Sequence, residues 1–266
     1  MHNLIAPGFL PGFLYVASGF CVGALVGMTG VGGGSLLTPL LILLFCIHPS
    51  TAVGTDLLFA ASTKATGTIV HSAAQTIDWR LVGTLAIGSV PATVVTLFVL
   101  SQFDLKDAGA QHVLTVTLGG VLLVTASFLL AGRKIRERYA GRLNDLDPRR
   151  AHFLTVGLGV VMGALVTATS VGAGAIGVTV LLILHPKMTP GRVVGSDIAH
   201  AVPLTLLAGA GHWYLGSVDW TLLGNLLIGS IPGIILGSYL ATRARDAVVR
   251  IALASVLVIV GVRLLG

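Results

Sequence analysis

Gly27-Met28-Thr29-Gly30-Val31-Gly32-Gly33-Gly34-Ser35-Leu36-Leu37-Thr38-Pro39 is the stretch of this chain that decides the fold. Positions 30–34 hold four glycines, and glycine disfavours a regular helix because it loses the most backbone entropy on ordering. The sequence on both sides is nevertheless too apolar for a surface loop. Non-helical backbone within a membrane is tolerated only where it is buried in protein or lines a polar cavity. The stretch therefore predicts a break between two membrane-embedded helices.

The chain contains a second break of the same kind, Ala168-Thr169-Ser170-Val171-Gly172-Ala173-Gly174-Ala175. Each break is followed by a short apolar run, so its backbone N–H groups lie at the start of a new helix. A helix start attracts anions, because its N–H groups are unpaired and the helix dipole is positive there. Two broken helices at matching places in two halves of a membrane protein point to a binding site.

The two breaks also allow a simpler interpretation, in which glycine only lets helices approach closely. The spacings Gly19–Gly23–Gly27 and Gly233–Gly237 are typical of such helix packing. Three consecutive glycines before a short helix are not, and they favour a binding role. The candidate substrate-binding residues of the two breaks are Thr29, Gly30, Gly32, Gly33, Gly34, Ser35, Ser170, Gly172 and Gly174.

The composition places the chain among polytopic membrane proteins. Of its 266 residues, 55% are hydrophobic and only 10% are charged, whereas a soluble protein carries about 25% charged residues. Of the 16 Lys and Arg residues, seven fall within 132–150. Such a basic segment is typical of a cytoplasmic loop and not of a nucleic-acid interface, which needs a basic folded surface. We therefore expect the lipid bilayer as surroundings and no nucleic-acid partner.

The apolar runs predict an all-α fold of ten helices, because a membrane-spanning helix needs about 20 apolar residues. The candidate helices of the first half cover 9–29, 35–47, 52–73, 80–101 and 110–131. Those of the second half cover 151–170, 175–185, 191–212, 221–241 and 246–265. Each half has a short second helix that follows its glycine-rich break. The predicted organisation is a first membrane repeat at 1–131, a basic cytoplasmic linker at 132–150 and a second membrane repeat at 151–266.

The two halves share residues at a nearly constant separation, which indicates an internal duplication. Val53-Gly54-Thr55-Asp56 corresponds to Val194-Gly195-Ser196-Asp197, 141 positions later. The other pairs with this separation are His71 and His212, Asp78-Trp79 and Asp219-Trp220, and Gly88-Ser89-Val90-Pro91 and Gly229-Ser230-Ile231-Pro232. The breaks themselves align at a separation of 140, so the second half holds one extra residue after its break.

The number of membrane crossings decides how the two repeats are oriented. Five crossings per half make the second half enter from the opposite side, which gives two inverted-topology repeats. With the linker inside, 13 of the Lys and Arg residues lie inside and two outside, and Lys64 lies within a helix, in agreement with the positive-inside rule. If the short helices were re-entrant and each half crossed four times, Arg243, Arg245 and Arg250 would lie outside. We therefore predict five plus five crossings, with both termini external.

Three ionisable residues within the predicted helices are candidates for proton coupling. Asp56 and Asp197 lie one to two turns into their helices, where a carboxylate either interacts with the helix dipole or marks an ion or proton path. His200 follows Asp197 by three residues on the same helix face, so the two could relay a proton, although a single membrane histidine is more often only hydrogen-bonded. We predict Asp56, Asp197 and His200 as the proton-coupling residues.

Lys64 is the single basic residue deep in a predicted helix, near the middle of 52–73. A lysine at mid-helix is badly placed to extend to the membrane surface. It therefore either attracts an anion or forms a structural ion pair with Asp56 or Asp197. We include Lys64 among the substrate-binding residues and keep the ion pair as the alternative. The pair His71 and His212 falls near helix ends and is predicted to provide interfacial anchors.

The duplicated pattern as a whole resembles the sulfite exporter TauE/SafE family of membrane transporters. The residues that carry the resemblance are Gly30-Val31-Gly32-Gly33-Gly34 followed by Pro39, the stretch from Pro49 to Asp56, His71, Asp78-Trp79 and their copies in the second half. The resemblance covers nearly the whole chain. It implies a multi-pass transporter in the inner (plasma) membrane of a bacterium or archaeon. It further implies a small anionic sulfur compound as substrate, such as sulfite, thiosulfate or an organosulfonate, which is mostly exported.

These features predict a secondary transporter that rocks one half against the other around the two breaks. No ATP-binding P-loop occurs, so an ion gradient or the substrate gradient must drive transport. An anion channel built on the same breaks is the alternative. An intramembrane enzyme is a weaker one, because neither H-E-x-x-H nor G-x-S-x-G occurs. The stretch 172–177 matches the dinucleotide pattern G-x-G-x-x-G, but no strand precedes it. We expect no cofactor, no metal site and no enzymatic activity.

Overall fold

The structure is a computed structural model that describes residues 9–29, 34–105, 107–140, 147–172, 174–241 and 246–266. The described residues form ten α-helices and no strand. The helices are α1 Phe9–Thr29, α2 Gly34–Phe45, α3 Pro49–Ala73, α4 Trp79–Ser101, α5 Ala108–Ala140, α6 Pro148–Thr169, α7 Ala175–Leu184, α8 Pro190–Tyr214, α9 Trp220–Ala241 and α10 Asp246–Leu265. The predicted all-α fold is confirmed.

Several of the described helices are suited to a lipid environment. Five of the described segments are long and apolar enough to cross a membrane. They are Trp79–Ser101, Ala108–Gly132, Pro148–Thr169, Pro190–Tyr214 and Trp220–Gly237. Shorter apolar segments occur at Gly12–Met28, Leu36–Phe45, Ala175–Leu184 and Ile251–Leu265. Large apolar side chains lie on the outer surface, and Ile87 and Phe98 of α4 are 61% and 66% exposed. Because such a surface suits lipid and not water, the chain is a multi-pass membrane protein.

The helix ends follow local signals in the sequence. Asp78 caps α4, because its side chain accepts hydrogen bonds from the backbone N–H groups of Arg80 at 3.1 Å and Leu81 at 3.2 Å. Asp147 caps α6 in the same way, and Pro148 fits the first turn because its missing N–H has no partner there. The observed bounds lie within three residues of the predicted ones, except at the end of α5.

The predicted end of the fifth helix at 131 was wrong, because α5 continues to Ala140. The apolar run ends near position 131, but residues 133–140 contain Arg, Lys, Glu and Ala, which favour a helix, and no Gly or Pro. Gly141 is the next residue that disfavours one. Hydrophobicity located the end of the membrane segment, whereas helix propensity decides where the helix itself ends.

Helices of opposite halves pack together in matched pairs, α1 with α9 and α4 with α6. A Cβ built on Gly19 would lie 2.3 Å from the carbonyl oxygen of Leu226. The repeat counterparts Gly159 and Leu85 make the same contact, also at 2.3 Å. Only glycine lets two backbones approach this closely, and such small-residue contacts are how helices associate in membranes. The same contact occurring twice agrees with the internal duplication.

The glycine contacts also show the direction in which the helices run. α1 and α9 are parallel. Gly19 lies against Leu226 and Gly23 lies against Ser230, so the contact moves one turn forward on both helices. α3 and α8 are antiparallel, because Gly54 lies against His212 near one end. Near the other end Gly195 lies against His71. Repeats of opposite orientation require these directions, and the side of the membrane on which the termini lie stays a prediction.

Buried apolar side chains form two clusters that mirror one another. One joins α1, α2, α3 and α9 around Leu37 and Phe59. The other joins α4, α6, α7 and α8 around Met162 and Leu181. Each cluster therefore buries the short helix of one half under a long helix from the opposite half. Between the two clusters lies the α3–α8 pair, and there the polar residues collect.

Candidate functional site

The first glycine break contributes little to what can be described. Gly30, Gly32 and Gly33 lie outside the described residues, and so do the side chains of Thr29 and Ser35. Gly34 is the first residue of α2. The binding role predicted for the residues of this break stays a prediction.

The second break turns sharply inside the protein. α6 ends at Thr169, and Ser170 has φ 59°, in the left-handed region that residues with a side chain rarely adopt. Gly172 and Gly174 both have φ 118°, which glycine alone adopts without strain. All three of these break residues are buried. The predicted interruption of the helix is present, and its two glycines are required by the backbone geometry.

The start of α7 has no side-chain cap among the described residues. Gly174 occupies the capping position and offers no side chain. Its carbonyl accepts the N–H of Val178 at 2.8 Å, whereas the N–H groups of the first turn have no carbonyl one turn back to bond. A buried helix start thus presents N–H groups without a side-chain cap in the described chain, together with the positive end of a helix dipole.

The carboxylate of Asp197 lies against this first turn of α7. A Cβ built on Gly177 would be only 2.6 Å from Oδ1 of Asp197. Asp197 is 1% exposed, and its Oδ1 makes no hydrogen bond to any part of the chain that the structure describes. The dipole of α7 favours a negative charge at this place. An unsatisfied buried oxygen, however, costs about 1–3 kcal/mol, so the carboxylate is only partly accommodated.

Asp56 occupies the corresponding place beside α2 and is held more firmly. Its Oδ2 accepts hydrogen bonds from the backbone N–H of Thr38, at 3.2 Å, and from the Thr38 hydroxyl. Asp56 is fully buried, and Ser170 lies close to its side chain. Oδ1 of Asp56 and the hydroxyl of Ser170 are both without a hydrogen bond of standard geometry to the described residues. These two atoms can therefore accept further partners.

Lys64 lies nearer to His200 and Asp197 than to Asp56 along the α3–α8 pair. In the antiparallel register of α3 and α8, Lys64 is level with position 202, two residues from His200 and five from Asp197. At about 1.5 Å per residue, the axial offsets are about 3 Å and about 7.5 Å. Asp56 is eight residues from Lys64 on α3, about 12 Å along the helix. The lysine thus belongs with the polar groups of the second half.

Lys64 is buried without a carboxylate in direct contact. The residue is only 8% exposed. Among the described side chains, one ion pair is closer than 4 Å. It joins Arg192 and Asp78, whose nitrogen and oxygen atoms are 3.1 Å apart. The Lys64 ammonium interacts electrostatically with Asp197 most strongly and with Asp56 second. Within the described residues, the direct structural ion pair considered as an alternative is therefore not formed.

His200 reaches this centre from α8 and is anchored on α4. Its Nε2 lies 2.8 Å from the Ser89 hydroxyl. Its Nδ1 is buried and has no hydrogen bond within the described chain. His200 and Asp197 share a helix face as predicted, but no direct hydrogen bond joins them. A proton relay between the two would therefore need a bridging group such as water.

The interfacial role predicted for His212 was wrong. His212 is fully buried, and its Nε2–H donates to the backbone carbonyl of Thr167 at 2.9 Å. The Thr167 hydroxyl in turn donates to that of Thr93 at 3.2 Å. His212 thus ties α8 to the end of α6, just before the second break. His71, its repeat counterpart, is half-buried and lies 2.8 Å from the Thr76 hydroxyl.

The buried centre suits the binding of a small polar solute. It combines one ammonium, two carboxylates, an imidazole and an uncapped helix start, and several of its buried atoms lack partners among the described residues. The described ranges contain no group of three or more His, Cys, Asp or Glu side chains that could hold a metal ion. A buried polar centre enclosed by apolar, lipid-facing helices is typical of a membrane transport protein.

Comparison with known proteins assigns the family. A sequence profile described as "Sulfite exporter TauE/SafE" matches residues 15–264, and the chain belongs to that family. The chain is similar to "Probable membrane transporter protein YjnA" of Bacillus subtilis (strain 168), with 40% identity over 254 residues that cover 94% of this chain and 98% of that protein.

More distant relatives carry the same kind of name. "Probable membrane transporter protein YdhB" of Bacillus subtilis is 28% identical over 82% of this chain and 86% of its own length. "Probable membrane transporter protein MJ0441" of Methanocaldococcus jannaschii is 24% identical over 95% of this chain and 94% of its own length. No solved structure matches. The predicted family is confirmed, and the protein is a membrane transporter.

Proposed function

We propose that this protein is a secondary transporter that exports small sulfur-containing anions, such as sulfite, thiosulfate or organosulfonates, across the inner (plasma) membrane. The description of the family supports the substrate class and the direction. The names of the relatives support membrane transport and go no further. The protein acts by binding and moving its substrate and not by enzymatic catalysis.

The observation that carries the proposal is the environment of Lys64. A buried ammonium without a carboxylate in contact lies about 7.5 Å along the helix pair from Asp197, whose carboxylate lies against the uncapped start of α7. An oxyanion suits both groups, since it provides negative charge to the ammonium and acceptor oxygens to the N–H groups of the uncapped helix start. The substrate-binding residues that we propose in the second half are Ser170, Gly172 and Gly174, together with Lys64.

Proton coupling is assigned to Asp56, Asp197 and His200. The carboxylates are buried in the middle of the protein, where a charge is tolerated only with a partner or a function. A secondary transporter needs a coupled ion or a substrate gradient, and protonation of a carboxylate next to the substrate would provide the coupling. The first break, with Gly33 and its neighbours, is proposed to complete the site from the other half.

Ligand-induced stabilisation of the purified protein tests the substrate class. The melting temperature is measured with sulfite, thiosulfate, sulfoacetate, taurine and simple carboxylates. A ligand that binds only the folded state stabilises it by about 2.7 kcal/mol at 100 times its Kd, which amounts to roughly 5–10 °C for a chain of this length. We expect the sulfur oxyanions to raise the melting temperature and acetate to leave it unchanged.

Two variants and one flux measurement make the test specific. Lys64→Gln should lose the response to the anion, whereas Arg192→Gln, which removes an exposed cation that is already paired, should keep it. In proteoliposomes a carrier shows accelerated exchange when unlabelled substrate is present on the opposite side, and a channel does not. Stabilisation by carboxylates and sulfur anions alike would contradict the proposed substrate class.

A further inference from the structure

The carboxylate of Asp197 occupies a helix start that would otherwise suit an anion. Its Oδ1 lies so close to the first turn of α7 that residue 177, a glycine, has no room for a Cβ. The same oxygen is buried and has no hydrogen bond within the described residues. A negative group therefore sits at the positive end of α7 without being fixed there.

The two repeats differ in how they hold this carboxylate. Asp56 is fixed by both the N–H and the hydroxyl of Thr38. The repeat counterpart of Thr38 is Thr179, and its hydroxyl faces Gly132 of α5 instead, 3.0 Å from a Cβ built there. The duplication thus supplies two equivalent carboxylates, but only that of the first repeat has a hydroxyl partner on its short helix. Asp197 is the one whose charge can change without breaking hydrogen bonds to the described chain.

The charges around Asp197 decide what else can bind beside it. The Lys64 ammonium interacts with it electrostatically, and the further Asp and His groups of α3 and α8 are Asp56, His71, His200 and His212. α7 carries no titratable side chain, and those of α4 and α6 lie at their exposed ends, as does the Arg192–Asp78 ion pair at the start of α8. With both carboxylates ionised, one ammonium faces two negative charges. A further anion would be repelled strongly, because the low dielectric of the interior enhances charge repulsion.

We propose that the Asp197 carboxylate is an internal competitor of the transported anion, and that the anion binds at Lys64 and the start of α7 only together with a proton on Asp197. This inference rests on the proposed function and adds the rule that decides when the site is occupied. The proton comes from the aqueous phase to which the site is open. It leaves to the other phase with the anion, so that the net charge of the centre is the same before and after binding.

The competition has a consequence for the driving force. One proton moves with each singly charged anion, so the transport of a monoanion is electroneutral. The membrane potential then has no effect on the flux, whereas a pH gradient does. Export requires an outward substrate gradient that exceeds any opposing pH gradient. A small oxyanion with a single charge is the substrate class that this arrangement fits best.

The binding experiment uses probes whose charge does not change with pH. Methanesulfonate, isethionate and thiosulfate, which are anions of strong acids, stay ionised between about pH 5.5 and about pH 8, a range in which histidine changes its charge. Their affinity for the purified full-length protein is measured across this range by the shift in melting temperature. In the wild type, binding should weaken by up to about tenfold per pH unit as the pH rises. In Asp197→Asn, binding should be tight and independent of pH.

The control variant is Asp78→Asn, which removes a carboxylate that caps α4 and pairs with Arg192 outside the buried centre. It should keep the pH slope of the wild type. Gly177→Ala is the second test. The new Cβ would displace the Asp197 carboxylate and the flexible end of Met162, both within 3.0 Å. It should therefore raise the affinity at high pH, even where Asp197→Asn fails to fold.

The outcomes separate this inference from the function on which it rests. Equal pH slopes in the wild type and Asp197→Asn, with binding retained, would overturn the competition and leave an anion transporter. If no probe binds either protein at any pH, the anion site itself fails. In proteoliposomes, methanesulfonate flux should follow an imposed pH gradient and ignore a potassium diffusion potential. Asp197→Asn should reverse this pattern, and a wild-type flux that follows the potential would refute electroneutral transport.

Discussion

Replacing Gly88 of α4 or its repeat counterpart Gly229 of α9 with alanine should destabilise the protein. A Cβ on Gly88 would lie 2.0 Å from the carbonyl oxygen of Val156, and one on Gly229 would lie 1.9 Å from that of Val16. Real Cβ atoms essentially never come within 3.0 Å of another heavy atom. Because the opposing atom is backbone, the two helices must separate by about 1 Å, and a close-packed interface resists such a change.

The magnitude follows from known costs of overpacking. Extra methyl groups in a well-packed interior cost about 1–3 kcal/mol, and about 1 kcal/mol corresponds to roughly 2–4 °C in melting temperature for a chain of this length. Each variant should therefore melt about 2–12 °C below the wild type. The two sites lie in different helix pairs, so the double variant should lose about the sum of the two effects.

The chain supplies a matched pair of controls on the same two helices. Gly83 and Gly224, also repeat counterparts, have no atom within 4 Å of a built Cβ. Alanine there should stabilise the helix by up to about 1 kcal/mol, because it disfavours the helix less than glycine does. Tryptophan fluorescence of the purified protein in detergent follows the melting. If Gly88→Ala and Gly83→Ala melt at the same temperature, the close approach of α4 to α6 is wrong.

Three further predictions concern topology, the first break and pH. A reporter fused after Gly266 should read as external, since 13 Lys and Arg residues lie inside and two outside; a cytoplasmic signal contradicts this. Gly33→Leu should abolish transport while the protein still inserts, because a side chain there blocks the ligand; wild-type flux would leave the break a packing role only. Burial lowers the pKa of His185, against the effect of Asp78. The stability it contributes is therefore present above its ordinary pKa of 6.5 and lost as the pH falls. His185→Gln should reduce the fall in melting temperature between about pH 7 and about pH 5.5, and an unchanged fall would contradict it.

The parts of the fold that the sequence predicts are those with local signals. Apolar runs located the ten helices, because burial in lipid requires them over a known length. The glycines at 172 and 174 revealed the second break, because their positive φ values are unavailable to other residues. The duplication then indicated that Asp56 and Asp197 occupy equivalent places. The end of α5 was missed because charged residues can continue a helix beyond the membrane.

The parts that could not be predicted depend on contacts between distant segments. Ser89 binds His200 from 111 positions away. In the sequence it resembles the many hydroxyl residues of apolar helices that only bond the carbonyl one turn back, as Thr125 does with Val121. His212 looked interfacial because it stands near a helix end. Its burial follows from the packing of α8 on α6, which no local pattern contains.

The helix packing changes the expected mechanism of alternating access. The rocking of one sequence half against the other would pull apart the glycine contacts of α1 with α9 and of α4 with α6, which include the closest backbone approaches in the described chain. We expect instead that each body contains helices of both halves. One is centred on α1, α2 and α9 with the first half of α3, and the other on α4, α6 and α7 with the start of α8, as the two buried clusters indicate. The site at Lys64 then lies between them, on the α3–α8 pair.

Cross-linking tests which helices move together. Cysteines at Gly12 and Asn225 link α1 to α9 within one body, where a built Cβ lies 3.9 Å from the Asn225 side chain. Cysteines at Gly67 and Ile198 link α3 to α8 beside the site, at 3.4 Å. Both pairs are placed in a protein whose native cysteines are replaced by serine, and both are closed with a short bifunctional thiol reagent. The link within the body should leave flux unchanged, because its helices keep their contact throughout the cycle. The link beside the site should stop flux and leave ligand-induced stabilisation intact, because binding needs no movement of one body past the other. The opposite result, with flux lost at 12–225 and kept at 67–198, would mean that the two sequence halves move as separate bodies after all.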